Sequence, residues 1–147
     1  MENQDYQGRT VQGEKNDCVV RSFAKAMDLP YDVLHKICEK RGRKPGRGMN
    51  VSFDMMKGKR AVTIKGFLCV KHVRKTQMTI PKFLKKNPTG TFVCIIVGHA
   101  FTIIDGRLYG QPLDNSRIKY FISVRKVIKN EKTIDLNPGD IPGNVLY

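Results

Sequence analysis

The stretch TGTFVCIIVGHAFTIIDGRLYG, residues 89–110, decides the fold. It is rich in β-branched and aromatic side chains, which suit a pleated, half-buried surface, and its Asp105-Gly106 pair is a strong signal for a tight hairpin turn. A second run, IKYFISVRKVIK from Ile118 to Lys129, reads as another strand. The chain ahead of these strands has a different period. Asp17 is placed to cap a helix from Cys18 to about Asp28, with Val19, Phe23, Ala26 and Met27 on one face and Pro30 to stop it. Tyr31 to Arg41 reads as a second helix with a stripe of Val33, Leu34, Ile37 and Cys38, after which GRKPGRG opens a basic, mobile loop. Residues 50–59 fit a short helix or a loop, and AVTIKGFLCV (61–70) reads as one strand. A helix over Ile80 to about Lys86 follows, capped by Thr79 with Pro81 in its first turn. Helices first and an antiparallel sheet second predict an α+β domain.

A chain of 147 residues with 40% hydrophobic content can bury one core and not two. Residues 1–147 are therefore expected to form a single domain, with 1–10 and 130–147 as peripheral tails. The opening MENQDYQGRT is polar and lacks the apolar core of a secretory signal, and no apolar run reaches the length of a membrane span, so a cytoplasmic protein with no membrane contact is expected. Cys18, Cys38, Cys69 and Cys94 form no C-x-x-C pair, and three lie in apolar segments, which predicts reduced thiols.

The formal net charge of +14 points to an anionic neighbour. Three clusters carry it, through Arg41, Arg43, Lys44 and Arg47, then Lys57, Lys59 and Arg60, then Lys71, Arg74 and Lys75. Nucleic acid is the obvious anionic polymer, but there is no Trp and no aromatic residue interleaves the basic runs, so weak binding without sequence preference is expected. A solvated face that aids solubility is the plainer reading of the same charge.

Cys18 raises a chemical question. A thiol at a helix start meets the positive end of the helix dipole, which favours the nucleophilic thiolate, although a cysteine there is more often a small packed hydrophobe. Three other residues complete a set. His99, at the head of a predicted strand, could serve as the base. Asn115, after the following hairpin, could accept the imidazole N–H and fix its tautomer, a role for which Asp114 competes. Gln12, in a glycine-containing loop, could direct its amide N–H at a developing oxyanion beside the Cys18 backbone N–H.

The order Gln12, Cys18, His99, Asn115, with a cysteine at a helix start, resembles the papain-like cysteine peptidases. QG at Gln12, GHAFTIIDGRLYG around His99 and NS at Asn115-Ser116 match the local strings of that family. The resemblance covers most of residues 11–117 and implies a papain-like fold. In it, N-terminal helices carrying the nucleophile pack on a C-terminal antiparallel sheet carrying the base. It also implies a peptide or protein substrate, no cofactor, and catalytic roles for Cys18, His99, Asn115 and Gln12. Val19 stands where the family usually has an aromatic residue, no second cysteine precedes Cys18, and Arg117 replaces a shielding tryptophan, which implies a minimal or diverged member. Short proteins with DCVVR helices and GH strands occur in bacteriophage genomes, so the resemblance further implies a viral protein in a host cytoplasm. Other readings stay open: a deamidase, a cell-wall peptide hydrolase, or an inactive fold that binds nucleic acid or a host protein. A zinc site from His35, Cys38, Cys69 and His72 is disfavoured, because both cysteines continue apolar stripes.

Overall fold

The computed structural model describes residues 14–110 and 116–127 and the backbone of residues 3–4. Helix α1 (Cys18–Met27) buries Val19, Val20, Phe23, Ala24 and Met27, and ends where Asp28 turns into the left-handed region at φ 51° ahead of Pro30. Ala26, expected on the buried face, is only partly covered. Helix α2 (Tyr31–Lys40) buries Tyr31, Leu34 and Cys38, with Val33 and Ile37 at the margin. The ambiguous stretch after it holds one π-helical turn (Val51–Met55), whose start is closed when Asn50 Oδ1 accepts the Phe53 N–H at 2.9 Å. Helix α3 (Ile80–Lys86) starts as its sequence indicates, with the Thr79 hydroxyl accepting the Lys82 N–H.

Among the described residues seven strands form one sheet: β1 (Asn3–Gln4), β2 (Ala61–Ile64), β3 (Phe67–Thr79), β4 (Thr91–Ile96), β5 (His99–Ile104), β6 (Arg107–Tyr109) and β7 (Arg117–Lys126). Their order across the sheet is β1-β6-β5-β4-β7-β3-β2, antiparallel throughout except that β1 runs parallel to β6. The domain is α+β. Two expectations need correction. Residues 1–10 are not wholly a tail, since Asn3 and Gln4 pair with Leu108 and Tyr109. AVTIKGFLCV is a hairpin rather than one strand: Lys65 and Gly66, at φ 51° and 82°, reverse the chain between β2 and β3, and β3 then continues through the polar KHVRKTQMT. The tail beyond residue 127 lies outside the described residues.

The period of two along β4 sorts its side chains onto two cores. Val93 and Ile95 join Val20, Phe23, Leu34 and Ile122 beneath α1 and α2, while Phe92, Cys94 and Ile96 join Phe83, Phe101 and Phe121 on the other face beneath α3. Phe83, Phe92 and Phe121 meet edge to face, with centroids 4.9 to 5.6 Å apart, a favoured aromatic geometry. The helix face positions the site. Thr102 on β5 donates its buried hydroxyl to the Ser22 carbonyl of α1 at 2.8 Å, and Lys25 of α1 lies 4.4 Å above the Tyr109 ring of β6. The helix that starts with Cys18 and the strand that starts with His99 are thereby fastened to each other. Among the described residues no helix is long and apolar enough to cross a membrane.

Candidate active site

The four residues before α1 are set by a buried carboxylate. Glu14 takes a two-pronged contact from Arg43 (Nη1 to Oε2 and Nη2 to Oε1, both 2.9 Å), the Gly46 N–H at 2.7 Å, its neighbour's N–H from Lys15 at 3.1 Å, and His35 Nε2 at 2.6 Å. The Arg43 hydrogen bonds hold its carboxyl well below the usual carboxylate range against the opposing effect of burial, with His35, Gly46 and Lys15 adding to the fall. Arg43 Nη2 also donates to the Lys15 carbonyl, and Asn16 Nδ2 to that of Gly46. Two expectations change here. The GRKPGRG loop is laced to the Glu14 segment at Arg43 and Gly46 rather than left mobile, and Arg43, 5% exposed, is withdrawn from the surface charge available to an anionic polymer.

Asp17 occupies the N-cap position of α1 but makes no side-chain cap; its Oδ2 accepts the Tyr31 hydroxyl at 2.7 Å. That bond joins the α1 entry to the start of α2. Cys18 follows as the first residue of the helix, partly exposed, whereas Cys38, Cys69 and Cys94 are buried.

His99 is delivered by a tight hairpin. Val97 and Gly98 connect β4 to β5, Ile96 pairs with His99, and Gly98 takes φ 71°, a conformation other residues adopt only with strain. The imidazole bridges two groups. Nε2 lies 2.7 Å from the Gly110 carbonyl oxygen, an acceptor only, so Nε2 carries the hydrogen and Nδ1 is left for the thiol. His99 hydrogen-bonds Cys18, which raises the imidazole above its ordinary value; burial opposes this, and the Gly110 carbonyl reinforces it.

At Cys18 burial again disfavours charge. The His99 contact and the backbone N–H groups of Ala100 and Val19 outweigh it, and the thiol is lowered. The other three cysteines shift the opposite way: burial pushes Cys38 and Cys69 up to about 12 and Cys94 well above its usual range. Cys18 and His99 are thus shifted in opposite directions, each toward its charged form.

The pair sits in an open cleft of about 660 Å³, between the Gly48–Ser52 segment on one side and Ile95, Gly98 and Tyr120 on the other. Two of the four sequence-predicted site residues are thus brought together, Cys18 and His99. Gln12 and Asn115, with Asp114, lie outside the described residues. The sequence reading missed the Gly110 carbonyl. A main-chain acceptor has no side-chain signature, and its only trace is a glycine directly after a strand, here at φ 105°.

The residues weighed for zinc are engaged separately. His35 contacts Glu14, Cys38 Sγ lies 3.7 Å from Met55 Sδ, and His72 Nε2 lies 2.8 Å from Ser123 Oγ with its ring stacked on Phe121. Of the expected basic surface, Lys44, Arg47, Lys57 and Lys75 are exposed, while Lys71 is half-buried within the Cys18 cleft. Comparison with protein-family models, with curated proteins and with solved structures finds no match to the chain.

Proposed function

We propose that this chain is a papain-like thiol hydrolase that cleaves a peptide or isopeptide amide. One observation carries the reading: of four cysteines, only Cys18 has a thiol lowered toward thiolate, and the residue that lowers it is a histidine held by a second acceptor inside an open cleft. His99 Nδ1 takes the Cys18 proton, and the sulfur attacks the carbonyl carbon so that the C–S bond forms as the carbonyl electrons move to oxygen. The C–N bond then breaks, and the imidazolium gives its proton to the departing amine. Water, deprotonated by the same imidazole, attacks the thioester, releases the acid and restores the thiol. The Gly110 carbonyl keeps Nδ1 turned toward sulfur, the task that resemblance gives to Asn115. Gln12 is assigned to the oxyanion together with the Cys18 backbone N–H.

The test is alkylation rate measured beside peptidase rate. His99→Ala is expected to abolish fast labelling and turnover together. Gln12→Ala is expected to label like the parent while turning over an amide roughly a hundredfold more slowly. A His99→Ala protein that still labels and turns over normally would refute the assignment.

A second reading, an anion-binding protein, is favoured by one separate observation. Lys40, Arg41, Lys57 and Lys65 line another cavity of about 800 Å³. DNA affinity that falls steeply with salt and survives Cys18→Ala would support it.

A further inference from the structure

The Cys18 cleft has a second polar cluster that the dyad does not use. Lys71 projects into it from β3, with its Nζ hydrogen-bonded to the Ser52 hydroxyl and 5.0 Å from the centre of the Tyr120 ring. The Ser52 backbone in turn hydrogen-bonds the Tyr120 hydroxyl. Lys119 lines the same cleft and is exposed. The one carboxylate among the described residues that line it, Asp54, accepts the Asn50 N–H at 3.0 Å within its own turn. Among the described residues no carboxylate forms an ion pair with Lys71, and its charged neighbour is another cation, Arg60. This half-buried ammonium is held, among the described residues, by a neutral hydroxyl and a ring face and by no carboxylate.

Resting on the hydrolase reading, we infer that Lys71, with Ser52, Tyr120 and Lys119, forms a subsite that binds a carboxylate of the substrate near the scissile amide. The sheet fixes the reach. His99 and Lys71 lie on strands β5 and β3, separated by β4 and β7. Three inter-strand spacings across the sheet, with the offset of about three residues between the level of His99 and that of Lys71, amount to about 17 Å, and the lysine's own stem shortens the gap, so an extended peptide places the carboxylate about three residues from the cleaved bond. The favoured substrate is therefore an acidic peptide, supplying either an Asp or Glu side chain or a free C-terminus.

Peptidyl chloromethyl ketones carrying Glu or Gln at each of three positions would be reacted with the full chain, and Cys18 alkylation followed. Amide peptides extended beyond the scissile bond, with Glu or Gln side chains and with free or amidated C-termini, cover the leaving side through product release. A preference of about tenfold or more for the acid is expected at one position, shrinking as salt rises. Whether that position takes a side chain or only the terminus identifies the source. Lys71→Met is expected to remove the preference while leaving iodoacetamide labelling of Cys18 unchanged, and Lys71→Arg to retain it. A labelled Cys18 indifferent to acid in every arm, or a preference that survives Lys71→Met, would overturn the subsite alone. A Cys18 no more reactive to iodoacetamide than Cys38 would overturn the hydrolase reading and the subsite with it.

Discussion

Replacing Glu14 by alanine removes the carboxylate that five donor atoms converge on and leaves Arg43, whose side chain is 2% exposed, as a buried charge without its partner. Removing one member of a buried ion pair typically costs about 3–5 kcal/mol, because the remaining charge has lost its water and its counter-ion together. Domains of this kind have only about 5–15 kcal/mol to lose. With a urea slope of about 2 kcal/mol per molar, the Glu14→Ala midpoint is expected to fall by roughly 2 M. Chemical denaturation followed by circular dichroism measures it. The double variant Glu14→Ala, Arg43→Met separates a lost pair from a stranded charge: it is expected to be more stable than Glu14→Ala alone, since the orphaned guanidinium is gone. A Glu14→Ala loss below about 1 kcal/mol, or a double variant less stable than both singles, would refute the claim that this carboxylate anchors the entry to α1. The pH dependence has a fixed sign. A carboxyl held low in the folded state stabilises above its unfolded value of about 4.3, and that contribution drains away as pH falls below it.

Four further outcomes are expected. Cys18 alkylation by iodoacetamide should outpace that of Cys38, Cys69 and Cys94, because its thiol is lowered while burial raises theirs, and its rate should climb at a lower pH than theirs, which a pH–rate profile by mass spectrometry checks. Thr102→Val deletes the hydroxyl that ties β5 to α1, and is expected to cost about 1–2 kcal/mol in urea and to slow Cys18 labelling. His72 is held down to about 4 by burial, so the unfolded chain takes up its proton first and stability present above pH about 6.5 falls by up to about 3 kcal/mol toward pH 4. A His72→Gln midpoint that varies with pH as the parent's does would contradict that. Gly98→Ala meets open space but strains a φ of 71°, for an expected loss of about 1 kcal/mol in thermal melting.

The parts of the fold legible in the sequence are those whose cause is local. Helix α1, the Thr79 cap with Pro81, the Asp105-Gly106 turn and the strand opened by His99 each have a period or a turn residue within a few positions. Lys65-Gly66 turns the chain as tightly as Asp105-Gly106, but lysine in the left-handed region carries no such signal, so a hairpin reads as one strand. Strand β3 past Val70 was hidden by its polarity: Lys75, Thr76 and Gln77 are exposed, and the register shifts between Val73 and Met78. Charge misleads for a different reason. Glu14 and Arg43 are separated by 29 positions, so no periodicity links them, and an arginine in GRKPGRG reads as surface until the fold brings a carboxylate to it. Asp17 shows the same limit, since its carboxylate accepts the Tyr31 hydroxyl and makes no side-chain cap to the helix it precedes.

Burial alone would make all four thiols poor nucleophiles, and at Cys38, Cys69 and Cys94 it raises them. The sign reverses at Cys18 because three groups that favour the charged sulfur converge on it, and they come from different elements: His99 and the Ala100 N–H from β5, the Val19 N–H from α1. Neither the helix start nor the histidine accounts for the lowered thiol by itself. It belongs to the docking of α1 on β5, which the Thr102–Ser22 bond and the Lys25–Tyr109 contact secure from the buried side, away from the cleft. Residues 14–17 fix the same geometry from the other direction, through Glu14 to the Arg43 loop and through Asp17 to α2.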